Sequence, residues 1–227
     1  MKYTAAQRTA LAVFKKMRAA AHIERVKQRA KRERQLASKI LTLPDKKYGV
    51  ILADPEWRFE TWTIKGKITR SAENHYPTSS LEAIKARDVP SIAADDSVLF
   101  LWATVPMMPQ AVEVMTAWGF RYVSQIVWVK DRIGTGYWAR NRHELLLIGR
   151  RGKIPAPAPG QQPASVIEAP VASHSEKPAA VYDLIERMFP TLPKIELNAR
   201  HRREGWEAWG DEIAEHEVAA CKLNSMV

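Results

Sequence analysis

The stretch GVILADPEWRFE, residues 49–60, drives an apolar run into a carboxylate and stops it with a proline. Asp54, Pro55, Glu56 and Trp57 stand side by side there. An acid, a rigid backbone carbonyl and an indole within four residues suit one kind of chemistry. The exocyclic amine of a base such as adenine is a poor nucleophile, because its lone pair is delocalised into the ring. Acceptors on both of its N–H groups push the nitrogen toward tetrahedral geometry and localise that pair. A carboxylate and a neighbouring carbonyl are acceptors of the right type. Proline fixes φ and stiffens the turn that presents the carbonyl, while an indole gives a base a flat surface to stack on. The same residues also read as a buried strand ending in an ordinary Asp-Pro turn. Four residues alone cannot choose between these readings.

The surrounding elements add weight. Residues 48–53 form a predicted strand, followed by a short helix in TSSLEAIKARDVP with Thr78 or Ser79 as N-cap. SVLFLWAT (97–104) is apolar almost throughout, as strands covered on both faces are. MMPQAVEVMTAWGF carries a helix that Gly119 ends. Strands are expected over 121–130 and 143–150, and a brief one in VIEAPVA. Residues 153–165 are a Pro/Ala/Gln loop. KPAAVYDLIERMF is a helix with Pro178 in its first turn, and KIELNA is the last clear strand. Alternating strands and helices predict an α/β fold, a mostly parallel sheet with helices on both faces. Ligands bind such sheets outside the carboxyl ends of the strands. Asp54, Thr104, Lys130 and Asn198 all fall at such ends.

Composition narrows the rest. The chain has 227 residues, 46% of them apolar, enough for one domain with a proper core and no run long enough to span a bilayer. No signal-type apolar segment opens it. The single cysteine, Cys221, excludes an internal disulfide and a thiolate-rich zinc site, and fits a reducing, cytoplasmic setting. The six histidines (22, 75, 143, 174, 201 and 216) show no paired ligand spacing, so no metal is expected. Charge is uneven: residues 1–40 hold 12 of the 35 Lys and Arg but 2 of the 25 Asp and Glu, leaving 23 of each beyond. The division expected is a basic helical arm (1–40), a linker (41–47), the main domain (48–215) and a tail (216–227). In the arm, Leu11, Phe14, Met17 and Ala21 recur at helical spacing and could dock one face. Arg25, Lys27, Arg29, Lys31, Arg32 and Arg34 are candidate phosphate-binding residues, although a solvated helix has the same composition.

Seven short segments in order give the chain a family likeness. ADPEW, HYPTSSLEAI, LFLWAT, IVWVK, NRHELLLIGRRG, HSEKP and KIELNARHRREGWEAWGDEI resemble the adenine amino-methyltransferases related to the catalytic subunit of the mRNA adenosine methyltransferase. The resemblance runs over about residues 48–213 and leaves the arm outside. It implies a Rossmann-like fold, an antiparallel segment at NRHELLLIGRRG, and methyl transfer from S-adenosylmethionine to the N6 amine of adenine in nucleic acid. Carried over residue by residue, it makes Asp54 and the Pro55 carbonyl the acceptors of the target amine and Trp57 its stacking surface. Glu56 and Tyr76 would line the target-base pocket. Lys177 would pair with the cofactor carboxylate. Asp54, Asn198, Arg200, Arg203, Asp211 and Glu212 would complete the cofactor site. Plainer readings exist: Trp102 and Trp128 as core, Lys177 as a helix-start residue, Asp211 and Glu212 as a solvated turn, Glu144 paired with a neighbouring arginine.

Three positions depart from the family pattern. Glu56 replaces the usual second proline, which should loosen the turn and put a second acid beside Asp54. Asn198 replaces an aromatic, and Asp211 an asparagine. The compact chain and simple arm favour DNA over RNA as substrate, with a homodimer compatible. RNA as substrate, or a catalytically silent nucleic-acid-binding partner subunit, are the alternatives. A bacterial or phage-type member is the expected setting.

Overall fold

A computed structural model describes residues 15, 17–20, 24, 44–57, 79–134, 136, 138–157, 160–172, 176–210 and 213. The chain divides into two compact units, Met1–Thr42 and Leu43–Val227. In the first unit the described residues are helical and exposed, and Met17 is 66% exposed. Its candidate partners in a docking face, residues 11, 14 and 21, and the six cations of the arm lie outside the described residues.

In the second unit, seven strands form one sheet: β1 (Tyr48–Ala53), β2 (Ala93–Thr104), β3 (Arg121–Val129), β4 (His143–Arg151), β5 (Val166–Glu168), β6 (Lys194–Leu197) and β7 (Trp206–Trp209). Their order is β5-β3-β4-β2-β1-β6-β7. β4 runs antiparallel to both of its neighbours, and every other pairing is parallel. The helices are α1 (Leu81–Lys85), α2 (Val89–Ile92), α3 (Met108–Ala117) and α4 (Ala180–Met188).

Two-residue alternation assigns each strand residue to a face. Ile51, Leu99, Leu101, Leu147 and Ile195 pack with Ile84 of α1, Val89 of α2 and Val114 of α3. Val50, Leu52, Phe100, Trp128 and Leu146 pack with Val181, Leu184 and Ile185 of α4. Burial on both sides is why SVLFLWAT has no polar alternation. Helices on both faces match the expectation.

Local signals set the boundaries. The N-cap of α1 is Ser80, whose side chain accepts from the Ala83 amide; Ser79 is engaged elsewhere, as described below. After α3, Gly119 takes φ +81, with Phe120 N–H donating to Met115 O and Gly119 N–H to Thr116 O. That is a Schellman closure, which needs the left-handed residue glycine supplies. β7 escaped the sequence reading. It has only four residues, and its second, third and fourth residues are half-buried, so it carries no clear strand periodicity.

Candidate active site

The parallel strands end at one edge of the sheet, and the reversed β4 starts there. Asp54 leaves β1, with its N–H donating to Leu197 O at 3.4 Å. Thr104 closes β2, Lys130 follows β3, Glu144 is the second residue of β4 and Asn198 follows β6. Register places Glu144 opposite both Thr104 and Trp128. Alternation then carries Asp54, Lys130 and Glu144 to the face that α4 covers, and the segment entering α4 brings Lys177 to them.

The result is a chain of alternating charges. Lys177 Nζ lies 2.9 Å from Asp54 Oδ2 and 3.2 Å from Glu144 Oε2. Glu144 Oε1 in turn accepts from Lys130 Nζ. The ammoniums also lie over indoles, Lys177 5.4 Å from the Trp102 ring and Lys130 4.6 Å from that of Trp128. Both tryptophans are buried, so they serve as core and as the floor of the site together. Glu144 pairs with two lysines, where the sequence suggested an arginine.

Burial works against every charge here. It would strip the proton from Lys177, yet Asp54 and Glu144 outweigh it and hold the ammonium above its ordinary range. Burial also pushes the Glu144 carboxyl up, but Lys177 and Lys130 overcome it and bring the net shift below the usual value. For Asp54 burial wins over Lys177, so its carboxyl sits above the usual carboxylate range. Glu196 on β6 accepts from Tyr182 of α4 at 2.7 Å, and burial pushes its carboxyl up to about 7. Arg200 lowers the pKa of both Asp54 and Glu196, which puts its charge within reach of the site.

The remaining candidates divide. Trp57 is 6% exposed, with its indole N–H donating to Trp102 O at 2.9 Å; most of the ring belongs to the core. Asn198 has φ +62, a left-handed conformation that asparagine tolerates better than most residues. Arg203 turns to the flank of α4, bonding Glu186 through Nε at 2.6 Å and Asp183 at 2.6 Å. Tyr76, Asp211 and Glu212 lie outside the described residues. Glu56, expected to loosen the turn, has partners of its own. Its carboxylate is taken up by Ser79, Arg87 and Asn198. Arg87, Tyr182 and Glu196 were missed from sequence; of these only Glu196, an acid at a buried alternate position of a strand, left a readable trace. Among the described residues no group of three His, Cys, Asp or Glu converges as a metal site, and no helix is long and apolar enough to cross a membrane.

Two buried polar atoms at the end of β2, Trp102 Nε1 and Thr104 Oγ1, have no hydrogen-bond partner among the described residues. Such atoms are costly unless something supplies the missing partner. Together with a buried ammonium beside them, they suit a polar ligand carrying a carboxylate.

Comparison with known proteins finds methyltransferases. The chain is 39% identical over 191 residues to the Type II methyltransferase M.MunI of Mycoplasma sp, covering 78% of this chain and 82% of that protein. It is 32% identical over 177 residues to the N(6)-adenosine-methyltransferase catalytic subunit METTL3 of Homo sapiens, covering 74% of this chain but 28% of METTL3. A similar protein of Arabidopsis thaliana, N(6)-adenosine-methyltransferase MT-A70-like, is 31% identical over 177 residues, 73% of this chain and 24% of its own length. The MT-A70 family profile matches residues 48–212, from the first residue of β1 past the end of β7. The chain belongs to the MT-A70 family.

Proposed function

We infer that this protein transfers a methyl group from S-adenosylmethionine to the N6 amine of adenine in DNA, working in the cytoplasm. The observation that carries the reading is the buried Asp54–Lys177–Glu144 chain beside the Pro55 carbonyl, at the ligand-binding edge of the sheet. DNA is assigned because the likeness to the Type II methyltransferase spans most of both chains, whereas METTL3 is matched over 28% of its length.

Each residue has a defined task in that reading. Asp54, ionised, accepts from one N–H of the target amine, and the Pro55 carbonyl accepts from the other. Two acceptors localise the nitrogen lone pair along the line of attack. Pro55 O already accepts from Trp57 N–H at 2.8 Å, closing a three-residue turn around Glu56. Its second lone pair remains for the base. When bound, S-adenosylmethionine supplies an electrophilic methyl group on a sulfonium. Lys177 would hold its carboxylate, with Thr104 Oγ1 and Trp102 Nε1 as further polar partners, and the family resemblance gives its nucleoside to Arg200, Asp211 and Glu212. Lys177 also orients Asp54, so donor and target acceptor are fixed by one ammonium.

The test is transfer of labelled methyl from S-adenosylmethionine to single-stranded DNA, duplex DNA and RNA. Transfer to adenine N6 in DNA is expected, and Asp54→Ala should lower it at least ~100-fold, the scale of losing one transition-state partner. A folded Asp54→Ala protein with undiminished turnover would remove Asp54 from the chemistry. Transfer confined to RNA would reassign the substrate, and no transfer to any of the three would favour the silent partner.

A further inference from the structure

Two of the positions that depart from the family pattern touch each other. Asn198 Nδ2 donates to Glu56 Oε2 at 2.9 Å. The other carboxylate oxygen, Glu56 Oε1, accepts from Ser79 Oγ at 2.6 Å and from Arg87 Nη2. Arg87 Nη1 closes the ring by donating to Asn198 Oδ1 at 3.0 Å. The side chains of Arg87 and Glu56 are 18% and 24% exposed, so the ion pair is substantially shielded from water. Backbone bonds reinforce it: Ser79 N–H donates to Glu56 O at 3.1 Å, and Trp57 pairs with Ser79 in an isolated parallel bridge.

Position explains what this ring does. Glu56 is the central residue of the turn that presents the Pro55 carbonyl, two residues past Asp54. Asn198 leaves β6, the strand beside β1. Arg87 stands at the corner between α1 and α2, whose Ile84, Val89 and Ile92 are at most 1% exposed, so its base is immobile. The side-chain chemistry is specific. An amide donates to Glu56 from its nitrogen and accepts from Arg87 at its oxygen, and asparagine also tolerates φ +62.

We propose that Glu56, Arg87 and Asn198 are positioning residues: a four-way clamp with Ser79 that holds the Asp54–Pro55 acceptors rigid, a task done elsewhere in the family by a second proline. The proposal rests on the methyltransferase reading. Glu56 acts through the turn and touches no reacting atom. Rigidity matters because a displacement of about 1 Å in a reacting group can cost roughly 100-fold.

An exchange of groups tests it. Asn198→Asp keeps the size and the left-handed tolerance but faces Glu56 with a second carboxylate. In the clamp Asn198 serves the turn and not the cofactor site that the family resemblance assigned it, so kcat should fall roughly 10–100-fold while KM for S-adenosylmethionine stays within about twofold of wild type. Adding Glu56→Gln moves the amide to position 56 and the carboxylate to 198, conserving charge and restoring every hydrogen bond. The double variant should recover kcat to within about threefold of wild type, against the additive expectation for independent sites. Arg87→Ala should lower kcat like Asn198→Asp, and Arg87→Lys, lacking the fork, should recover it only in part. Wild-type kcat in Asn198→Asp, or a double variant as slow as the product of the singles, overturns the clamp. Thermal midpoints taken alongside separate loss of fold from loss of position. Wild type and Asp54→Ala run in parallel isolate the underlying reading, since its failure would appear in wild type itself.

Discussion

Asp54 must be ionised to accept from an amine, yet burial raises its pKa, and Lys177 is the first of the groups that oppose that rise. The rate should therefore fall as pH drops through a midpoint above the ordinary carboxylate range, since protonated Asp54 loses an acceptor. Lys177→Ala removes both the Coulombic attraction and the hydrogen bond that lower this midpoint, so the acid limb of kcat/KM should move to higher pH. Affinity for S-adenosylmethionine should weaken by ~1.5–3 kcal/mol, the worth of a hydrogen bond to a charged group. A pH–rate profile superimposable on wild type would show that Lys177 does not govern Asp54. Residue types made the acid, proline and indole legible, because their chemistry is local to four positions. Arg87 and Glu144 were not, because their roles depend on partners set by tertiary register: Glu56 and Arg87 are 31 positions apart, and Asn198 and Glu56 142. Nothing in PEW announces which groups its acid will meet.

At the scale of elements, β6 and α4 are joined by the Tyr182–Glu196 hydrogen bond. The folded Glu196 carboxyl titrates at about 7, against 4.5 ordinarily. Between those values the native state binds more protons than the unfolded chain, so stability falls as pH rises through that window. Glu196→Gln keeps an oxygen for Tyr182 and carries no charge to bury. Its unfolding free energy, followed by thermal melting, should gain on wild type from about pH 5 to 8, by an amount approaching ~3 kcal/mol at most. Parallel melting curves across that range would mean the carboxyl is not desolvated as described. Most elements were readable because double burial makes β1 and β2 continuous apolar runs, and because Gly119 marks a helix end. β4 reads as a strand equally well in either direction. Its reversal entered through family resemblance alone, since hydrophobic periodicity carries no polarity. That reversal puts the start of β4, and with it Glu144, at the edge where the other strands finish.

For the whole molecule, the expected basic arm and the catalytic unit should make separable contributions. Met17, one of the residues expected on the arm's apolar face, is exposed. Deleting residues 1–40 should leave S-adenosylmethionine binding intact while DNA affinity falls. On duplex DNA the log–log salt slope should flatten by about 0.9 for every phosphate the arm no longer neutralises. Sequence preference should persist, because bases are read by the folded unit. Equal slopes for full-length and shortened protein would sink the arm's role. The pinch between Glu56 and Ser79 has a different kind of consequence, for divergence. It closes both ends of residues 58–78 at a single point, beside the chemistry but anchored independently of whatever lies between. Between ends so fastened, the length of the chain matters little. Doubling its length costs only about 0.6 kcal/mol in closure entropy, and the strain of a new insert stops at the pinch. Grafting a relative's segment that keeps a tyrosine at position 76 should therefore leave the Asp54–Pro55 turn in place.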